Sequence, residues 1–133
     1  MNLSNVVSRG ANYFPENKAI VFGNKGFTYK ELDGCVNLVA SYFRERGIQK
    51  HDRVALYVEN RPEWIMIYYG IIRLGAVVVC VSAAYKSSEL EHLLDDSRPD
   101  MVVTTETLIQ NIPTDEKLPQ RKNVLVIEND NII

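Results

Sequence analysis

Three consecutive stretches decide the fold: Arg53-Val-Ala-Leu-Tyr-Val-Glu59, Pro62-Glu-Trp-Ile-Met-Ile-Tyr-Tyr-Gly-Ile-Ile-Arg-Leu74 and Ala76-Val-Val-Val-Cys-Val81. The first and third are short and apolar nearly throughout, the pattern of strands buried on both faces. The middle one is long enough for a helix and begins on proline, which suits a first helical turn. The alternation then continues. Ser88 to Ser97 reads as a helix, with Ser88-x-x-Glu91 as a capping box and Pro99 as its stop; Met101 to Thr105 reads as a strand. A short turn of helix and a last strand, Val124 to Glu128, follow. Apolar strands separated by helices predict an α/β fold: a mostly parallel sheet with helices on both faces.

Towards the N-terminus the pattern changes. Leu3, Val6 and Val7 recur at helical spacing in a stretch that stops at Phe14-Pro15, so a short helix is expected there. Ala19-Ile-Val-Phe22 and Gly26-Phe-Thr-Tyr29 are β-prone runs around Gly23-Asn24-Lys25, the signature of a small antiparallel hairpin. Thr28-x-x-Glu31 is a capping box opening a helix to Arg46, with Leu32, Val36, Val39, Ala40 and Phe43 as its apolar stripe and Gly47 as its left-handed stop. Beyond the third helix, Thr114 to Asn123 reads as an exposed polar connection carrying Asp115, Glu116, Lys117, Arg121 and Lys122. Trp64 to Ile72 has no polar side chain except two tyrosine hydroxyls, and a helix apolar all round belongs inside a larger body. The chain ends in Asn131-Ile132-Ile133 directly after a strand. Both features predict a partial domain of a larger fold.

The 133 residues, 46% apolar and 24% charged, suit one globular core that buries roughly two-thirds of the unfolded surface. Seven Gly and five Pro argue against a disordered or collagen-like chain. Fifteen basic against 17 acidic residues leave no excess to hold a phosphate backbone, so nucleic acid is not an expected partner. The apolar run Ala76 to Val81 is far shorter than the about 20 residues of a membrane span, and no signal core opens the chain; a cytoplasmic location is expected. Cys35 and Cys80 each fall on an expected apolar face, where an unpaired thiol behaves as a small hydrophobe, so both are expected reduced and structural.

Phosphate-binding loops need glycines at fixed spacing, and the chain has neither G-x-x-x-x-G-K-[ST] nor G-x-G-x-x-G. His51 and His92 stand far apart without a C-x-x-C and read as solvated; no metal site is expected. Cys80 has no neighbouring base and no G-x-S-x-G turn exists, so no catalytic residue is assigned. The acidic residues Glu89 to Asp96 alternate with leucines and read as a solvated helical face; Trp64, Tyr68 and Tyr69 read as core rather than as a ligand pocket.

The order of motifs says more than any one of them. Phe27-Thr-Tyr-Lys-Glu-Leu32, Gly47-Ile-Gln-Lys-His-Asp-Arg-Val-Ala-Leu56, Glu59-Asn-Arg-Pro-Glu-Trp64, Arg73-Leu-Gly-Ala-Val-Val-Val79, and Ser88-Glu-Leu90 with Leu94-Asp-Asp-Ser97 follow one another at characteristic separations. Together, over about residues 3 to 110, they resemble the N-terminal region of the AMP-forming acyl-CoA synthetases, of the fatty-acid or long-chain kind, in the adenylate-forming superfamily. The resemblance implies a parent enzyme that joins a small-molecule carboxylate to coenzyme A. ATP first gives an acyl-adenylate and pyrophosphate, and the thiol then displaces AMP. It also implies that residues 1–133 are the N-terminal portion of the large domain, and that the remainder of the ligase is the missing partner. The phosphate loop, adenine-binding segment, ribose-binding aspartate and catalytic lysine of the family lie downstream. This chain is therefore expected to bind no cofactor by itself and to be inactive alone, while the parent uses ATP, Mg and coenzyme A.

Two departures from the family pattern matter. Where proline, a small residue or leucine, and asparagine usually follow the Gly-Ala-Val strand, this chain reads Cys80-Val-Ser82-Ala-Ala84-Tyr85, and His51 stands where glycine usually precedes the aspartate. In some relatives the first of these loops contacts coenzyme A, which makes Ser82, Ala83 and Ala84 the candidate cofactor-binding residues; a plain strand-to-helix connection is the alternative. A self-sufficient α/β interaction or signalling module is the competing function. It lacks a phosphate-accepting Asp at a strand end, since Asp52 precedes its strand and Asp100 begins one. A natural short subunit paired with a separately encoded remainder is a third reading. If the Pro62 to Leu74 helix normally packs on absent structure, the isolated chain is expected to self-associate.

Overall fold

A computed structural model describes residues 2–113 and 123–128. In chain order the elements are α1 (Asn5–Tyr13), β1 (Lys18–Phe22), β2 (Lys25–Thr28), α2 (Tyr29–Glu45), β3 (Arg53–Tyr57), α3 (Pro62–Arg73), β4 (Val77–Cys80), α4 (Ser87–Ser97), β5 (Met101–Thr105), a 3-10 turn (Ile109–Asn111) and β6 (Val124–Ile127). They form two compact units, one of residues 2–50 and 61–76, the other of residues 51–60, 77–113 and 123–128. The polar connection expected at Thr114 to Asn123 and the terminal Asn131-Ile132-Ile133 lie outside the described residues, apart from Asn123.

In the first unit β1 and β2 pair antiparallel. Lys25 is not in the loop, as the sequence pattern suggested, but pairs with Phe22. That leaves the two-residue loop Gly23-Asn24 with Gly23 at φ 57, because a glycine at the first loop position lets the turn follow the twist of the strands. The Thr28 hydroxyl accepts from Glu31 N–H at 3.1 Å and the Glu31 carboxylate accepts from Thr28 N–H at 3.0 Å, so the expected capping box starts α2. All five residues of the expected stripe are buried, and the chain leaves the helix through Gly47 at φ 90.

Helix α3 packs along α2. Gly70 makes this close approach possible: a Cβ there would stand 2.4 Å from Val39 Cγ1. The expectation that α3 leaves an apolar face open is corrected. None of its residues is exposed, Met66, Ile67 and Ile71 are fully buried, and Trp64 and Tyr68 are half-buried and stacked with centroids 5.1 Å apart. In the first unit the exposed apolar side chains lie instead in and beside α1, on the hairpin and at Leu38 of α2, Tyr13 at 73% and Phe14 at 59% among them. Arg73, at the end of α3, ties the helices together by donating to Ser4 O, Ser8 Oγ and Asn37 Oδ1 and pairing with Asp33 at 3.0 Å.

The second unit is a parallel four-stranded sheet in the order β4-β3-β5-β6. Strand β3 is central, and Val54, Ala55 and Leu56 are completely buried, as its unbroken apolar run requires. Leu90 and Leu94 of α4 pack with Ala55, Tyr57 and Val102 on one face of the sheet. The start of α4 differs from the expected Ser88/Glu91 box: Glu89 accepts from Lys86 N–H at 2.9 Å, one half of a box whose capping residue has no acceptor side chain. Arg98 closes α4 in the left-handed region, at φ 45, just before Pro99. Cys80 is corrected as well. Among the described residues it ends the edge strand β4 and is exposed, whereas Cys35 is half-buried.

Candidate functional site

In parallel sheets the crevice for ligands lies beyond the carboxyl ends of the strands, where the direction of strand addition reverses. Here that reversal is at β3: β4 joins on one side and β5 on the other. The segments following β3, β4 and β5 therefore form the candidate site, and the residues Ser82, Ala83 and Ala84 lie on the one after β4.

Val81 continues the strand by donating its N–H to Leu56 O at 3.1 Å, and the chain then turns. Tyr85 N–H donates to Ser82 O at 3.1 Å, and Ala84 N–H donates to Ser82 Oγ at 3.2 Å. Serine after the strand thus closes the turn with both its carbonyl and its hydroxyl. Ala83 packs on the core of the sheet, while Ser82 and Ala84 are exposed. The sequence reading missed what holds this turn from beneath. Tyr57, 1% exposed at the end of β3, donates its hydroxyl to Tyr85 O at 2.6 Å and accepts from Asn111 Nδ2 at 3.1 Å. The available signal was a tyrosine in an otherwise apolar strand, whose hydroxyl must find a partner once buried.

A second pair lies beyond β3 and β5. Thr105 Oγ1 donates to Glu59 Oε1 at 2.7 Å, and Leu108 N–H reaches Thr105 Oγ1 at 3.4 Å. Beside it Thr104, the register partner of Tyr57, has a buried hydroxyl with no partner among the described residues. Partial burial pushes the Cys80 thiol above its ordinary pKa, and burial followed by the charge of Glu31 does the same to Cys35, so both thiols stay protonated and weakly nucleophilic near neutrality. His51 and His92 are exposed. Among the described residues no group of three His, Cys, Asp or Glu side chains is placed to hold a metal ion. No described helix is long and apolar enough to cross a membrane. The first unit has a groove of about 270 Å³ lined by Val6, Arg9, Gly10, Tyr13, Phe14 and Tyr29, which includes none of the candidate residues.

Comparison with known proteins places these observations. The family model described as "AMP-binding enzyme" matches residues 7–133. A medium/long-chain-fatty-acid–CoA/3-oxocholest-4-en-26-oate–CoA ligase of Mycobacterium tuberculosis is 30% identical over 134 residues, covering 97% of this chain and 24% of the relative. A long-chain-fatty-acid–CoA ligase of Bacillus subtilis is 31% identical over 106 residues, covering 80% of this chain and 19% of the relative. Among solved structures, the anthranilate CoA ligase AuaEII in complex with anthranoyl-AMP superposes with a TM-score of 0.86 at 23% identity, over 96% of this chain and 25% of that one. Mycobacterium smegmatis MbtA gives 0.84 at 27% identity, over 95% of this chain and 24% of that one. The chain spans about a quarter of the length of the first of these relatives.

Proposed function

Since the chain belongs to the AMP-binding enzyme family and is the N-terminal region of the adenylate-forming fold, we propose that it is the framework portion of an ATP-dependent, AMP-forming acyl-CoA ligase. The reaction of the whole protein is carboxylate, ATP and coenzyme A to acyl-CoA, AMP and pyrophosphate. The observation that carries this reading is the match over nearly the whole chain to relatives named fatty-acid–CoA ligases, together with its coverage of about a quarter of the first of them. Residues 1–133 build the hairpin, the helical layer and the first four strands of the large domain. The exposed positions Ser82 and Ala84, on the turn set by Ala83, face the approach of coenzyme A. ATP and Mg are held by the remainder of the ligase, which is also this chain's partner, and the protein works in the cytoplasm.

A second reading is favoured by one observation. A linear gramicidin synthase subunit of Brevibacillus parabrevis is 34% identical over 99 residues, so adenylation without release to coenzyme A fits the same framework. Two assays test both readings. Pyrophosphate release by residues 1–133 alone, with ATP and a panel of carboxylates, is expected at the no-enzyme baseline; turnover there overturns the framework role. Thioester formation by the complete polypeptide with coenzyme A is expected, and adenylate formation without thioester would favour the second reading.

A further inference from the structure

Tyr57 is buried deeply enough that a phenylalanine would fill the same space, yet its hydroxyl lies 2.6 Å from the carbonyl oxygen of Tyr85. The turn after β4 is closed by two bonds of its own, both to Ser82, and local bonds shape a turn without fixing how it stands on the sheet. Two contacts do that. Ala83 packs its methyl on the core, and the Tyr57 hydroxyl holds the Tyr85 carbonyl from the central strand. Its single proton is directed at Tyr85 O, and the same oxygen accepts from Asn111 Nδ2 at 3.1 Å through one of its lone pairs. Central strand, β4 turn and 3-10 turn thus meet at one oxygen, and Ser82 and Ala84 are left exposed on the outer side of the turn.

We propose that Tyr57 is a positioning residue, its hydroxyl anchored by Asn111 and holding the Ser82–Tyr85 turn in the orientation that receives coenzyme A. This rests on the reading of that turn given above and adds the group that orders it before the ligand arrives. A turn ordered in advance spends less of its binding free energy on ordering when the ligand binds. Losing the anchor therefore weakens the coenzyme A step and leaves adenylate formation alone.

The test uses the complete ligase polypeptide with Tyr57→Phe, which keeps the packed ring and removes the hydroxyl. Hydrogen exchange of the peptide spanning Ser82 to Lys86 is expected to speed up by about tenfold, the loss of one well-made hydrogen bond. The KM for coenzyme A is expected to rise by about three- to tenfold, with pyrophosphate exchange unchanged. Asn111→Ala, which removes the second bond and leaves the ring in place, is expected to act in the same direction, and the double variant to exceed the stronger single one by little. Ala84→Glu separates this proposal from the reading beneath it, because it places charge and bulk on the turn without touching Tyr57. If Ala84→Glu raises the KM for coenzyme A and Tyr57→Phe does not, the positioning role is overturned while the turn remains a coenzyme A contact. If neither variant moves that KM, both are overturned. Equal loss in the two half-reactions with Tyr57→Phe would show a purely structural hydroxyl and also overturn the proposal.

Discussion

His51 shows how one backbone angle explains a departure from the family pattern. It adopts φ 74, a left-handed conformation that costs a side-chain-bearing residue about 1–2 kcal/mol and a glycine almost nothing. The chain turns here before Asp52 and β3, and His51 makes under strain a turn that a glycine would make without it. Glycine also loses more freedom on folding, by roughly 0.5–1 kcal/mol, so the two effects partly offset. His51→Gly is expected to raise unfolding stability by up to about 1 kcal/mol, read from the urea midpoint at constant slope. A fall in the midpoint would show that the imidazole contributes more than its backbone costs. Residue-level legibility was uneven. Thr28 and Glu31 were readable because both partners of a capping box lie within one helical turn, whereas Tyr85 and Asn111 lie 28 and 54 positions beyond Tyr57 and meet it only once the sheet has formed.

Among the elements, α2 depends most openly on a titrating group. Bonds from the Thr28 backbone and side chain, in that order, hold the Glu31 carboxyl below its ordinary value of 4.5. A carboxylate with a lowered folded-state pKa adds stability that is fully present above its unfolded value and is lost as pH falls through the folded one. Glu31→Gln removes that dependence. The melting temperature of the parent chain is expected to exceed that of the variant by a steady margin above about pH 5.5, and the margin to shrink as the pH is taken below the ordinary 4.5. A margin that does not change with pH would mean that the Glu31 contact is not ionic. The start of α4 was misread because Ser88-x-x-Glu91 and Lys86-x-x-Glu89 overlap, and Glu89 wins by reaching the Lys86 amide. Its carboxyl is also lowered, first by its own amide and then by that of Lys86.

For the whole molecule, self-association remains the expected behaviour of the isolated chain, through a different surface from the one the sequence suggested. Val6, Tyr13 and Phe14 line the groove of the first unit and are 56%, 73% and 59% exposed, while α3 exposes no residue. Contiguous apolar exposure of this kind drives association. Light scattering over a dilution series is expected to show species larger than a monomer, and Phe14→Ser with Val6→Ser to return the chain to monomer. Association that survives those two changes would place the contact elsewhere.

The sequence alone determined the element order, the hairpin, the parallel α/β sheet, the stripe of α2 and the family, because each is carried by periodicity, caps or motif order within a few tens of residues. Tertiary structure decided the rest. Among the described residues it put β4 at an edge and left Cys80 exposed, turned the apolar α3 onto α2 through Gly70, and brought the Tyr57 hydroxyl under the Ser82–Tyr85 turn. Each of these depends on which distant residue arrives as neighbour. A one-dimensional pattern records how apolar a residue is, and not what will cover it.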